Sequence, residues 1–240
     1  MTCPLTLKIV LVLGCLVVST PAARAQDQVL GLLALPEVFG DGPCDRFSPQ
    51  EVPLYEIPDG AVVGVARVTK SWTFQGNGGC EGLEVTVSLR GLAAERPLPT
   101  REYAYEEPGA VVLETRGRWF RLHLATRSAW VLASKRDEFH SLESLLTEGR
   151  LTYLTSDWNR QLADNPGRGE RAARVPANVA QPAVRVLSSR RDHAQLWLQI
   201  EVMSHSSCDD ISEPKLMDRG WVRAHSRSGQ PVVWFSSRGC

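Results

Sequence analysis

The sequence predicts a mainly all-β fold built from small antiparallel barrels. Several short apolar or aromatic runs are separated by tight turns, and the most compact series lies within residues 100–133. Short strands joined by tight turns are typical of small, strongly bent antiparallel sheets. A turn-containing motif also recurs along the chain, and recurrence at intervals indicates a repeated structural unit.

The recurring motif consists of an apolar or aromatic strand start, an acidic residue, and then Pro-Gly or Pro-Asp-Gly. It occurs at residues 54–60, 103–109 and 162–167. In the central copy, Pro108-Gly109 predicts a turn because proline fixes φ and glycine leaves it free. Trp119–Leu124 then predicts a strand, and residues 129–132 predict its return.

The first 25 residues have the pattern of a secretory signal peptide. Lys8 precedes an apolar run at residues 9–18, and the segment ends in Ala23-Arg24-Ala25, so we expect cleavage after Ala25 and a secreted or periplasmic protein. A lipoprotein processed at Cys15 is the alternative. No later apolar stretch approaches the length of a membrane span, so none is expected in the mature chain.

The charge balance bears on the class of partner. The chain has 27 basic and 27 acidic residues. Binding to nucleic acid or to an anionic bilayer needs a concentrated basic surface, so neither partner is expected. The one local exception is an arginine cluster at Arg168, Arg171 and Arg174, which we interpret as a solvated part of a long exposed excursion at residues 165–181.

Four cysteines remain after the signal peptide, and we expect them to form disulfides. An even number of cysteines in an exported chain indicates bridges, and four cysteines allow three pairings. Their distribution favours Cys44 with Cys80 and Cys208 with Cys240. A metal site formed by His205, Cys208, Asp209 and Asp210 is the alternative, but it lacks the usual ligand spacing, and we predict no metal or cofactor.

A single helix is predicted between two β-rich lobes. Phe139, Leu142, Leu145 and Leu146 are spaced to share one face of a helix at residues 139–148, with Ser141 or Asp137 as its cap. We therefore divide the chain as follows: 26–51, an N-terminal strand or tether; 52–136, a first lobe; 137–150, the connecting helix; 151–240, a second lobe.

Two groups of residues resemble the bacterial SH3-like (SH3b) domain of secreted and envelope proteins. The first is Gly117-x-Trp119-Phe120-x-Leu122 followed by Ala129-Trp130-Val131, and the second is Trp197 followed by Gly220-Trp221-Val222. The resemblance implies tandem SH3-like barrels joined by the short α-helix. Ser128-Ala129 stands where the family more often has glycine, and residues 52–89 lack the central Gly-x-Trp.

The resemblance implies a non-catalytic binding protein whose partner is peptidoglycan, its stem peptides or another cell-envelope component. Side chains that can line an aromatic groove are Tyr55, Tyr105, Tyr153, Trp119 and Trp197. An extracytoplasmic scaffold that binds another protein is the alternative. A hydrolase is a third hypothesis, although the sequence has no common catalytic motif and no catalytic residue is predicted.

The disulfide pairing is testable directly. We expect peptide mapping of the unreduced, exported protein by mass spectrometry to find the Cys44–Cys80 and Cys208–Cys240 linkages. Each bridge closes a loop of about 35 residues and should stabilise the fold by on the order of 3 to 4 kcal/mol. A linkage between Cys44 or Cys80 and either of the other two cysteines would contradict the one-bridge-per-lobe assignment.

Overall fold

The structure is a computed structural model that describes residues 27–35, 51–72, 82–105, 107–133, 139–176, 179–193, 195–209 and 212–238. The expected signal peptide lies outside these residues, as do Cys15, Cys44, Cys80 and Cys240. The predicted pairings therefore stay predictions. Cys208 lies in a turn at residues 207–209.

The described chain is mostly antiparallel β-sheet, which confirms the coarse fold class. Its strands are β1 (Gly31–Ala34), β2 (Glu51–Tyr55), β3 (Val62–Trp72), β4 (Gly82–Leu89), β5 (Arg96–Pro97), β6 (Thr100–Ala104), β7 (Glu107–Arg116), β8 (Trp119–Leu124), β9 (Arg127–Leu132), β10 (Phe139–Ser141), β11 (Thr152–Leu154), β12 (Gln161–Leu162), β13 (Arg171–Ala172), β14 (Ala183–Asp192), β15 (Gln195–Met203), β16 (Leu216–Arg223) and β17 (Val233–Phe235). A helix, α1 (Leu142–Thr147), follows β10. None of the helices in the described ranges is long and apolar enough to cross a membrane.

Ten strands form one curled sheet in the order β10-β1-β7-β8-β9-β2-β3-β4-β5, with β6 also paired to β7. β1 pairs with one edge of β7. On the other edge, β6 pairs with the first part of β7 and β8 pairs with the second part. Alternate side chains such as Leu54, Phe120 and Val131 point into the curl and form a first core.

A second sheet has the order β16-β15-β14-β11-β17, and β12 pairs with β13 beside it. Leu198 and Ile200 of β15 and Val233 of β17 are fully buried in a second core. Helix α1 adds Leu142, Leu145 and Leu146 to the same core.

Strands β1 and β7 are buried on both faces and supply side chains to both cores. In β1, Leu33 packs in the first core and Leu32 in the second. In β7, Val112 packs in the first core and Val111 packs in the second. Because neighbouring residues of a strand point to opposite faces, one pair of strands separates and supports both cores.

The predicted helix at residues 139–148 is shorter in the structure, because its first three residues form strand β10. Phe139 pairs with Leu33 of β1 and packs against the first core, whereas the leucines of α1 enter the second core. The prediction that these four side chains share one helical face is therefore wrong. Ser141 is the N-cap, and its side chain accepts a hydrogen bond from the N–H of Ser144.

The three copies of the recurring motif do not have one structure. Residues 165–168 form a tight hairpin with Gly167 at φ 74°, as a Pro-Gly turn requires. Pro108 and Gly109 instead lie inside β7, which corrects the turn predicted there. A Cβ at Gly109 would lie 2.9 Å from Cβ of Leu32, so this glycine allows β1 to approach β7 closely.

Residues 27–30 bind both halves of the described chain before β1 begins. Asp27 forms an ion pair with Arg121 at 2.8 Å. The N–H of Val29 donates to the carbonyl of Gly229 at 3.2 Å, and Nε2 of His225 donates to the carbonyl of Val29 at 2.7 Å. The N-terminal segment is thus attached to the turn that follows β16.

Removing the side chain of Leu32 tests the doubly buried strand. Leu32 is 0% exposed, so Leu32→Ala should lower the free energy of unfolding by about 2–5 kcal/mol through lost burial and a cavity. Leu30→Ala is the matched control, since Leu30 is 36% exposed and should change stability by no more than about 0.5 kcal/mol. Urea unfolding followed by tryptophan fluorescence would measure both, and equal effects would contradict the assigned burial.

Stability should depend on pH through His225. Burial lowers the pKa of this imidazole below its ordinary value. The hydrogen bond to the carbonyl of Val29 acts in the opposite direction, and the charge of Arg191 adds to the lowering. The folded protein therefore favours the neutral ring, and its contribution is complete above the unfolded pKa of about 6.5 and is lost as the pH falls below that value. His225→Gln keeps an N–H donor but does not titrate, so it should lose less stability than wild type between about pH 7.5 and about pH 5, the range in which histidine titrates. Identical pH profiles by urea unfolding would contradict this role.

Candidate functional site

The five aromatic residues predicted to bind a ligand lie at four separate places. Tyr55 and Trp119 are together, with ring centroids 5.0 Å apart and perpendicular planes. Tyr105 is 61% exposed in the turn between β6 and β7. The hydroxyl of Tyr153 shares a hydrogen bond with Ser206 at 2.9 Å. Trp197 lies on β15, so only Tyr55 and Trp119 are neighbours.

A cleft among the described residues contains Trp197 and has a volume of about 990 Å³. We name it the tryptophan cleft. Its lining includes three indoles, four amide side chains, and charged groups of both signs: Trp158, Trp197, Trp221, Gln28, Asn159, Gln161, Gln195, Asp157, Glu170, Arg223 and Arg227. Aromatic rings beside a few polar groups are the usual composition of a ligand site.

Strands β15 and β16 place the tryptophans on one outer face of the second sheet. The register pairs Trp197 with Arg223, and Trp221 lies two residues before Arg223. The intervening residues, such as Leu198 and Val222, point into the second core. Strand alternation alone therefore brings the two indoles and the guanidinium together.

The three indoles have different surroundings. Trp158 is buried, and its Nε1 donates to the carbonyl of Gln161 at 3.0 Å. Trp197 is also buried, with the guanidinium of Arg223 5.4 Å from its ring centroid. Trp221 is only half-buried. Trp221 is therefore the indole of this cleft that a ligand reaches first.

The facing wall of the cleft is attached to β16 through the main chain. Ala163 and Trp221 exchange two backbone hydrogen bonds, each 2.8 Å long. The same segment continues through the 165–168 hairpin to Glu170, which lies at the rim. The wall, which includes the end of β12, is thus joined to β16 by a β-bridge between Ala163 and Trp221.

An ion pair holds this wall in place, in a region predicted to be a long exposed excursion. Arg171 donates two hydrogen bonds, at 2.8 and 2.9 Å, to the carboxylate of Asp218, which is 3% exposed. The N–H of Arg174 also donates to Asp218 at 2.8 Å. Residues 171–174 of the predicted excursion are therefore anchored.

The electrostatics of Asp218 follow from these contacts. The hydrogen bonds from Arg171 hold the pKa of Asp218 far below its ordinary value despite burial, and the N–H groups of Arg174 and Arg219 act in the same direction. The carboxylate stays ionised at any physiological pH, so the bidentate pair persists.

A second cleft adjoins the first and has a volume of about 740 Å³. We name it the N-terminal cleft. Its lining includes Asp27, Leu30, Glu114, Arg121, Asp192 and His193. Arg121 is paired with Asp27 at 2.8 Å and with Glu114 at 3.1 Å. Because these charges neutralise one another, they attract an ionic ligand only weakly.

The described residues offer little for catalysis or metal binding. They contain no group of three or more His, Cys, Asp or Glu side chains arranged to hold a metal ion. Nδ1 of His205 shares a hydrogen bond with the hydroxyl of Ser204 at 2.9 Å. The nearby carboxylate of Asp209 accepts from the N–H of Ser206 instead, so these residues form no nucleophile, base and acid series.

Sequence reasoning missed Trp221 as a site residue, although it placed Gly220-Trp221-Val222 on a strand. The signal was present: Trp197 and Trp221 lie on neighbouring strands, and each alternates with core residues. The Arg171–Asp218 pair had no comparable signal, since the two residues are 47 positions apart.

Comparison with known proteins identifies no relative. The chain matches no protein-family model, no curated protein and no solved structure. The SH3-like resemblance therefore depends on the motifs alone.

Proposed function

We propose that this protein is a non-catalytic, exported binding protein that recognises peptidoglycan or its peptides in the tryptophan cleft. The observation that supports this most is the half-buried Trp221 indole, set among amide and charged side chains in a cleft of about 990 Å³. The volume is at the upper end of the range of about 300–1,000 Å³ typical of ligand sites.

The motif resemblance supports the envelope as the source of the ligand. In this proposal the two β-rich lobes are degenerate SH3-like units of a protein cleaved near Ala25. The Arg171–Asp218 pair holds the cleft wall, so the site is largely formed before the ligand arrives. Preformed sites lose less entropy on binding.

A second candidate function is protein binding through an aromatic surface on the outer face of the first sheet. Tyr55 and Trp119 form an edge-to-face pair there, and Trp119 lies opposite Leu132, which is 42% exposed. Clustered aromatic and apolar side chains on a surface are typical of protein interfaces.

Co-sedimentation with purified sacculi separates these candidates. We expect the protein, purified after export into an oxidising compartment, to bind sacculi saturably. Trp221→Ala should weaken binding at least about tenfold, or about 1.4 kcal/mol, because it removes the accessible indole.

Trp119→Ala is the matched control, since it removes an indole from the other surface. It should leave sacculus binding unchanged, and both variants should show wild-type unfolding curves. No binding by the wild-type protein, or loss only in Trp119→Ala, would overturn the assignment to the tryptophan cleft.

A further inference from the structure

The tryptophan cleft and the N-terminal cleft share part of their lining, and we call the two together the groove. Four residues line both: Gln28, Gln195, Trp197 and Arg223. Arg223 covers the Trp197 ring at this junction. The two clefts are therefore neighbours, and together they have room for a chain of several units.

The charges of the groove disfavour an anionic ligand. Its lining carries five carboxylates and three guanidinium groups: Asp27, Glu114, Asp157, Glu170 and Asp192, and Arg121, Arg223 and Arg227. Arg121 is already paired with two of the carboxylates, and Arg223 lies over an indole. A nucleic acid or an acidic polymer would add negative charge to a groove that already has a carboxylate excess.

The main chain disfavours an extended peptide. Peptides commonly bind by adding a strand to an open sheet edge. At the tryptophan cleft the edge strand is β16, and the N–H and carbonyl of Trp221 are both bonded to Ala163. No open ladder is therefore available beside Trp221.

The remaining chemistry suits a sugar chain. The half-buried Trp221 indole offers an apolar surface for the C–H face of a sugar ring. Side-chain amides of Asn159, Gln161 and Gln195 line the same cleft. Asn159 donates to Gln161 at 3.0 Å and Gln195 donates to the carbonyl of Leu196 at 3.3 Å, and each amide has further capacity to donate and accept, as hydroxyl and acetamido groups require.

We infer that the groove binds an uncharged linear glycan that spans both clefts, so that affinity depends on chain length. This inference rests on the proposed function and specifies which part of peptidoglycan is recognised, the glycan strand and not the stem peptide. Sugar units beyond those in the tryptophan cleft contact the side chains of the N-terminal cleft, including Leu30.

Titration calorimetry with β-1,4-linked N-acetylglucosamine dimers and hexamers tests the inference. The hexamer should bind at least about tenfold more tightly than the dimer, a difference of about 1.4 kcal/mol. Trp221→Ala should weaken both ligands. Leu30→Arg, which fills only the N-terminal cleft, should remove most of the hexamer's advantage and leave dimer affinity unchanged.

Leu30→Met is the control for Leu30→Arg, since it keeps an apolar side chain of similar size at this partly exposed position. A statistical gain from overlapping positions of a long chain on a single cleft would persist in Leu30→Arg, so this variant separates that effect from true contact. Equal affinity for dimer and hexamer would overturn the two-cleft site.

Parallel sedimentation with sacculi keeps the two proposals distinguishable. Binding to sacculi without binding to either oligomer would overturn the glycan inference and leave the proposed function standing. Binding to isolated stem peptides in place of the oligomers would do the same. Failure to bind sacculi, oligomers and stem peptides would overturn both.

Discussion

The pairing of β1 with β7 is the interaction on which the rest of the structure depends. Both strands are buried on both faces, and adjacent residues such as Leu32 and Leu33 enter different cores. Close approach of the two backbones requires the glycine at position 109, where a side chain would meet Leu32. A cavity on either face would therefore disturb the packing of both cores, because packed interiors transmit strain. The N-terminal cleft lies directly beside the start of β1, since Leu30 is part of its lining.

The candidate site shows how a regular strand pattern becomes a binding surface. Alternation along β15 and β16 places Trp197, Trp221 and Arg223 on the outer face, where they would otherwise form a flat patch. The anchored segment from Ala163 to Arg174 turns this patch into a cleft. A buried carboxylate, Asp218, holds that segment through charge-assisted hydrogen bonds, so the shape of the site depends on one ion pair outside its lining.

Local patterns predicted the elements that are determined locally. Strand β8 has the predicted bounds, because alternating apolar residues and the Gly117 turn define it within a few positions. Predictions were wrong where distant segments decide the outcome. Pro108-Gly109 became part of a strand because β1 and β6 flank it, and Phe139 left the predicted helix to pair with Leu33. The exposure of Trp221 likewise depends on the segment around Ala163, which lies about 60 residues earlier in the chain. No local pattern encodes a contact between residues so far apart.

The attachment of residues 27–30 to residues 225–229 determines when the chain can finish folding. The hydrogen bond from His225 to Val29 spans 196 positions. Contacts between such distant segments form slowly, because the entropy of closing the loop is lost before the contacts are gained. Strand β1 is synthesised well before residues 225–229, and its Leu32 face stays partly uncovered until the segments of the second core have folded onto it. During that interval an apolar strand with free edges is exposed to other chains, so this short segment is where a holding chaperone would protect the protein most.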